Sequence, residues 1–277
     1  MNAQSVSRNS KGKVLVVLSA ADSIPLKEGG VHPTGLFLGE VTEPAEAMIK
    51  AGYELVFASP NGRAPTIDAD SRRGMYWKFS KKKLKHADSV YAKLVDAGIN
   101  TPYRLEDFAA DTSKLSDFTA IFVPGGHGPL VDLYFQDMFK SQKKTDVNTD
   151  MGKILSYFHE RKLPTGLICH APAVLAAAPK VNGQWIYAGY KITAISRASE
   201  WFNEDMPGTK VIKGHVGQYP SDILRAAGAK YVYHRIPTVP YVVEDRELMT
   251  GQDPFSAGLM GKRFVQKLNK FVASKKQ

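Results

Sequence analysis

The residues best suited to chemistry are Cys169 and His170, adjacent in the stretch Lys162 to Lys180, KLPTGLICHAPAVLAAAPK. Cys169 is the only cysteine in the chain. Thr165 to Ile168 is a short apolar run of the kind that forms a buried strand. Ala171 to Ala178 is small and apolar, and predicts a helix packed tightly on its neighbours. A thiol at that turn meets the helix N-terminus, whose unpaired N–H groups and positive dipole end favour a thiolate. This is the arrangement of a nucleophile elbow, with cysteine in place of serine and an imidazole beside it. A lone cysteine more often packs as a small buried hydrophobe. The adjoining histidine at a strand–helix junction favours the nucleophile.

A second feature is Pro124-Gly125-Gly126-His127-Gly128, directly after the apolar run Phe118 to Val123. Glycines at a strand end let backbone N–H groups turn toward a ligand, so Gly125, Gly126 and His127 are candidates for an oxyanion or substrate-binding loop. A plain strand-to-helix turn would read the same way. No Gly-Lys-Ser/Thr ending follows, so this is not a phosphate loop. A third candidate is Glu40. A carboxylic acid close to Cys169 would hydrogen-bond the sulfur and exchange a proton with it. Taken alone, a helical glutamate is usually a solvated surface charge, and spacing does not bring Glu40 to Cys169.

The elements that must position these residues alternate. Lys13 to Ser19 and Tyr53 to Ser59 read as strands. Leu36 to Ala51 reads as a helix between them, closed by Gly52. A β–α–β unit of under fifty residues implies a parallel sheet with a right-handed crossover. Ala20 to Pro33 reads as a long polar loop over a strand end. Residues 62 to 118 read as an excursion from the sheet, a small cap containing an exposed helix over Lys81 to Gly98. Thr149 to Arg161 is a further helix. Lys191 to Ser196, Tyr231 to His234, Tyr241 to Val243 and Leu248 to Gly251 read as strands. Ala198 to Asn203 reads as a short helix or turn, Ser221 to Ala227 as a brief helix, and Pro254 to Ser274 as the last helix. The expected fold is a doubly wound, mostly parallel α/β sheet sandwiched by helices, flavodoxin-like, as one domain over residues 1 to 277. In such a sheet ligands bind at the carboxyl ends of the strands, where Cys169 and the glycine loop converge.

Composition sets the limits. The chain has 277 residues, 43% hydrophobic and 23% charged, an ordinary globular mixture. One cysteine excludes an internal disulfide framework and suits a reducing compartment. The N-terminal MNAQSVSRNSKGK has no apolar core of signal-peptide type, and no run reaches the length of a membrane span. A cytoplasmic location without membrane partners is expected. The net charge of +10 invites a nucleic-acid reading. Its densest cluster is Lys81, Lys82, Lys83 and Lys85, with Lys275 and Lys276 at the end, and no aromatics interleave as in a stacking platform. The charge reads as a solvated surface that attracts anionic metabolites rather than nucleic acid.

Four motifs in order resemble the ThiJ/PfpI superfamily, which has the class I glutamine-amidotransferase-like fold. They are TGLFLGEVTEPAEAMIKAGYELVFASPNG from Thr34, GGHG from Gly125, GLICHAPAVL around the thiol, and LMTGQDPFSAG from Leu248. With the segment Ala64 to Ser71, they are most similar to the heat-shock chaperone and glyoxalase III branch. The resemblance implies a Cys-His-acid triad with a separate glutamate at the thiol. Cys169 is then the nucleophile, His170 the base and Glu40 the proton partner of the sulfur. Glu200 is the best match for the orienting acid, with Glu204 and Asp205 as alternatives. The implied reaction is conversion of methylglyoxal to lactate without glutathione, a lyase activity needing no cofactor and no metal. The oxyanion would be held by the N–H groups of Gly126 and His170. The resemblance also implies a homodimer, and holdase or deglycase activity toward unfolded or modified proteins. A cysteine peptidase fits least, because the long loops at 20 to 33 and 62 to 80 suggest a covered pocket.

Overall fold

The computed structural model describes residues 10–140 and 146–275. The first nine residues of the N-terminal stretch and Lys276 lie outside them. Lys13–Val17 forms β1, and its side chains alternate between two cores. Val14 and Val16 join one apolar cluster, and Leu15 and Val17 join the other. The chain then makes a two-stranded antiparallel hairpin, β2 (Ser23–Pro25) and β3 (Val31–Pro33), where a loop was expected. α1 (Leu38–Lys50) follows, with Glu40 in its first turn, and Gly52 closes it at φ +91°. β4 (Glu54–Ser59) pairs parallel with β1, so the β–α–β reading stands.

Residues 62 to 118 divide between two places. Short 3-10 turns at Ala69–Arg72 and Gly74–Trp77 and the helix α2 (Lys81–Asp96) lie on the α1 side, where Trp77 and Ala87 pack with Leu38. β5 (Tyr103–Arg104) then returns to the sheet as an edge strand on β4, and α3 (Leu105–Ala110) joins the opposite core. Only the first part of this stretch stands off the sheet. β6 (Phe118–Val123) runs into the glycine loop, and a π-helical turn at Leu130–Tyr134 follows it. α4 (Thr149–Glu160) is capped by the Asn148 side chain, which accepts from Met151 N at 2.9 Å.

β7 (Thr165–Ile168) leads to Cys169. The segment Ala171–Ala177 beyond is a 3-10 helix, not the expected α-helix. Pro172 removes one N–H at its start, and Ala178 is extended before Pro179, so no regular α-helical turn develops. A hairpin of β8 (Lys180–Val181) and β9 (Gln184–Trp185) comes next. Of the strand expected over Lys191 to Ser196, only β10 (Lys191–Ile192) forms. It pairs with β11 (Lys230–Tyr231) in a separate two-stranded sheet. Thr193 to Ser196 are buried yet irregular: Thr193 N donates to Thr250 Oγ1 at 3.0 Å, and Ile195 N to the Cys169 carbonyl at 2.9 Å. α5 (Arg197–Glu204) and α6 (Pro220–Ala227) lie between β10 and β11. β12 (Val242–Asp245), β13 (Leu248–Gly251) and α7 (Ala257–Ser274) complete the chain.

The main sheet has the order β12-β13-β7-β6-β1-β4-β5 and is parallel except for the β12–β13 pair. Helices α1 and α7 cover one face, with Met48, Met260, Phe264 and Leu268 in the core beneath them. α3, α4, α6 and the 3-10 helix cover the other. Close packing fixes Gly166. A Cβ there would stand 2.8 Å from Phe122 Cδ2 and 2.9 Å from Phe264 Cε2. The fold is thus the doubly wound α/β sandwich, with the carboxyl ends of β1, β6, β7 and β13 together at one edge. No helix among the described residues is long and apolar enough to cross a membrane.

Candidate active site

Cys169 is held in the left-handed region at φ +64°. Its N–H donates to the Gly251 carbonyl on β13 at 3.0 Å, and its carbonyl accepts from Ile195 N. The residue is clamped from both sides in a conformation that non-glycine residues seldom adopt, as at a nucleophile elbow. Its Sγ lies 3.3 Å from His170 Nδ1, and His170 Nε2 lies 2.6 Å from Glu200 Oε1. Glu200 carries a carboxylate, so Nε2 holds the imidazole proton and donates it. That leaves the Nδ1 lone pair facing the thiol.

Glu200 stands in the first turn of α5, which the Ser196 side chain caps by accepting from Ser199 N. The turn places its carboxylate at the positive end of the helix. Burial opposes its charge, but the His170 and His127 imidazoles outweigh that, and the carboxyl is held well below the usual range. The two alternatives for this acid are engaged elsewhere. Glu204 accepts from Val216 N and Tyr219 Oη, both at 2.8 Å, and Asp205 pairs with His215 at 3.1 Å.

Glu40 is brought to the thiol by the first turn of α1 and is fully buried. Its carboxyl faces Cys169 Sγ and the Gly125 amide. Neither oxygen has a fully formed hydrogen bond. Burial pushes its pKa up to about 8, and the nearby Asp253 adds to the rise against those two polar neighbours. Glu40 therefore keeps a proton at neutrality and faces the sulfur as a donor. Burial, followed by the Glu40 charge, pushes the Cys169 thiol well up. The helix-dipole expectation of a lowered thiol pKa is corrected here: the segment beyond Cys169 is a 3-10 helix and the sulfur is wholly buried. Protonation of Glu40 removes its repulsion and supplies a hydrogen bond to the thiolate.

The glycine loop has two roles. Gly125 lies against Glu40 and Cys169, because a Cβ there would overlap the Glu40 carboxyl and stand 2.7 Å from Cys169 Cβ. Gly126, at φ +92°, and His127 line a cavity of about 80 Å³ that also reaches Cys169 and His170. The His127 ring lies 4.1 Å from that of His170, tilted by 46°, and points Nε2 at Glu200 Oε2, 3.9 Å away. Burial would lower the His127 pKa, but Glu200 outweighs it and the net effect is upward. His170 is shifted down, by burial and by the neighbouring His127.

Three further cavity residues escaped the sequence reading: His32, Asp68 and Asp253. His32 comes from β3 and sits 6.3 Å from His127, ring to ring. Asp68 accepts from Thr34 Oγ1 at 3.2 Å. Asp253, two residues past β13, accepts from Ser256 Oγ and Gln252 Nε2, and burial pushes it up to about 7. Its position after a buried strand was the available signal. The described residues lining the cavity include three aspartates and three histidines but no Lys or Arg. The +10 charge of the chain is therefore not focused on the site as expected for an attraction of anionic metabolites.

Fold and site define a member of a known class. Residues 32–200 match the ThiJ/PfpI family-like model, and the chain belongs to the ThiJ/PfpI family. It is 26% identical over 258 residues to the protein/nucleic acid deglycase HchA of Escherichia coli O157:H7, covering 93% of this chain and 81% of that one. Among solved structures it is similar to glyoxalase III from Candida albicans. That match has a TM-score of 0.70 at 24% identity over 92% of this chain and 97% of that one. The Rapid Encystment Protein 24 kDa of Francisella tularensis matches with a TM-score of 0.67 at 23% identity, over 93% and 99%. Both structures share the fold.

Proposed function

We propose that the protein is a glutathione-independent glyoxalase that converts methylglyoxal and water to lactate through a cysteine nucleophile. The observation that carries this reading is the line Cys169–His170–Glu200, with the buried Glu40 carboxyl at the sulfur, opening on a small cavity. His170 Nδ1 takes the thiol proton, and the sulfur adds to the aldehyde carbon to give a hemithioacetal. The N–H groups of Gly126 and His170 are the donors assigned to its oxygen. His170 passes the thiol proton to that oxygen, then removes the proton from the same carbon and returns it to the neighbouring one through an enediol, leaving a lactoyl thioester. Water cleaves the thioester, releases lactate and restores the thiol. Each role suits its residue: a soft nucleophile, an imidazole base, and fixed donors. No cofactor enters these steps.

The HchA relative favours a second reading of the same site, in which the thiol attacks a carbonyl adduct carried on a protein or nucleotide. Holdase binding of unfolded chains would be independent of the thiol. The test is a methylglyoxal assay without glutathione on wild type and Cys169→Ala, with a glycated peptide in parallel. Lactate from wild type and none from Cys169→Ala is expected. Lactate at an undiminished rate from the variant overturns the cysteine mechanism. Turnover of the peptide alone moves the assignment to deglycase.

A further inference from the structure

His127 Nε2 is buried and has no hydrogen-bond partner. It points at a carboxylate oxygen of Glu200 from 3.9 Å, and the other oxygen of Glu200 is engaged by His170 Nε2 at 2.6 Å. One donor atom from each of the three residues lies within 4.8 Å of the others, and all three residues are buried. The triad needs only the His170–Glu200 contact. A second imidazole aimed into the same carboxylate, with its nitrogen unsatisfied, is unexplained by it.

From this geometry we propose that His127, His170 and Glu200 form a divalent-metal site, best suited to zinc, whose occupation switches the thiol off. Two imidazoles and one carboxylate are a zinc-type donor set that leaves further positions open. Tetrahedral zinc with bonds near 2.0–2.1 Å keeps its donors about 3.3 Å apart. The observed separations of 2.6 and 3.9 Å bracket that value. One donor atom of each residue lies within 4.8 Å of the others, so side-chain adjustment alone would bring the three onto one ion. Access is provided for: His127 and His170 line the cavity, beside Asp68, Asp70 and Asp253. An acidic approach without Lys or Arg admits a cation.

The switch follows from the imidazole's two nitrogens. A metal on His170 Nε2 takes the lone pair left when that nitrogen gives up its proton. The proton of the neutral ring then resides on Nδ1, which faces Cys169 Sγ at 3.3 Å. Nδ1 becomes a donor and no longer accepts the thiol proton. The sulfur itself is not a ligand. Inhibition is thus reversible and leaves Cys169 chemically intact.

The test counts metal as well as turnover. Wild type, Cys169→Ala, His127→Gln and His215→Ala are each given zinc chloride, gel-filtered and assayed for retained metal by mass spectrometry. His215→Ala controls for the second group, Glu204, Asp205 and His215, whose members already pair with one another or with their neighbours. One equivalent is expected on wild type, Cys169→Ala and His215→Ala, and none on His127→Gln. Glu200→Gln repeats the loss should His127→Gln fail to fold by circular dichroism. Cobalt(II) in wild type is expected to give d–d bands without a sulfur charge-transfer band. No metal on wild type, loss from Cys169→Ala or His215→Ala, retention by a folded His127→Gln, or a sulfur band each overturns the site. In the activity arm, zinc abolishes methylglyoxal turnover and EDTA restores it. Undiminished turnover by zinc-loaded enzyme overturns the switch. If methylglyoxal is not a substrate at all, the glyoxalase reading fails while the metal counts still decide the site.

Discussion

The carboxyl of Glu40 lies against the thiol of Cys169, and both residues are buried, at 0% and 2% exposure. Two acids so placed titrate as a pair, and the useful form holds one proton between them. Replacing Glu40 by Gln keeps the shape but cannot give or take that proton. Turnover is expected to fall roughly a hundredfold. A basic limb in the wild-type pH–rate profile near pH 8, where burial sets Glu40, should vanish in Glu40→Gln. A variant of normal activity would make Glu40 a structural residue.

The same group gives a stability prediction with a definite sign. Its pKa rises from 4.5 to about 8 on folding. Between those values the native state holds a proton that the unfolded chain lacks. Stability therefore falls as pH rises through this window, and the decline ends above it. Glu40→Gln lacks this penalty, so its melting temperature should gain on wild type more at pH ~8.5 than at pH ~5. Parallel melting curves across the range would remove Glu40 as the cause.

Glu200 fixes which nitrogen of His170 carries the proton. Glu200→Gln presents the ring with an amide that either donates or accepts. Turnover is expected to drop by about 10² to 10⁴ while the fold persists. Labelling of Cys169 by iodoacetamide, read by intact mass, will show whether the thiol remains present. Near-wild-type turnover would show that the 2.6 Å contact is not used in catalysis.

Gly166 tests the packing beneath the elbow. A Cβ at that position meets both Phe122 and Phe264 within 3 Å. Gly166→Ala should cost about 1–3 kcal/mol as overpacking, measured by urea unfolding. Relief by a second substitution, Phe264→Leu, would confirm the collision; an unchanged midpoint in Gly166→Ala would show that the rings give way freely.

What the residues disclosed depended on burial pattern. Phe118 to Val123 and Thr165 to Ile168 are buried on both faces, and such strands stand out as continuous apolar runs. They carry the glycine loop and the thiol, so the centre of the candidate site was legible. The hairpin at 23 to 33 has three-residue strands, and Val31 and Pro33 are exposed. Its pattern is indistinguishable from a loop. Thr193 to Ser196 misled in the opposite direction: Ala194 and Ile195 are buried, and Ile195 packs with Cys169, without forming a strand. Glu200 was selected by resemblance alone, since Glu204 and Asp205 are as acidic and nearly as close in sequence. His32 and Asp68 reach the cavity only through tertiary folding, which no local pattern encodes.

The sheet supplies the thiol and the base, but the acid arrives from outside it. Glu200 rides on α5, which is tied to the rest by Asn203 accepting from Val211 and Ile212, and by Glu204 gripping Val216 and Tyr219. These ties are local hydrogen bonds, and a segment held in that way opens at lower free energy than a central strand. Warming should then dismount the acid while the seven-stranded sheet is still intact. The enzyme would lose its rate several degrees before its circular dichroism changes, and would regain it on cooling. Heat would act on this protein first as a dimmer and only later as a denaturant.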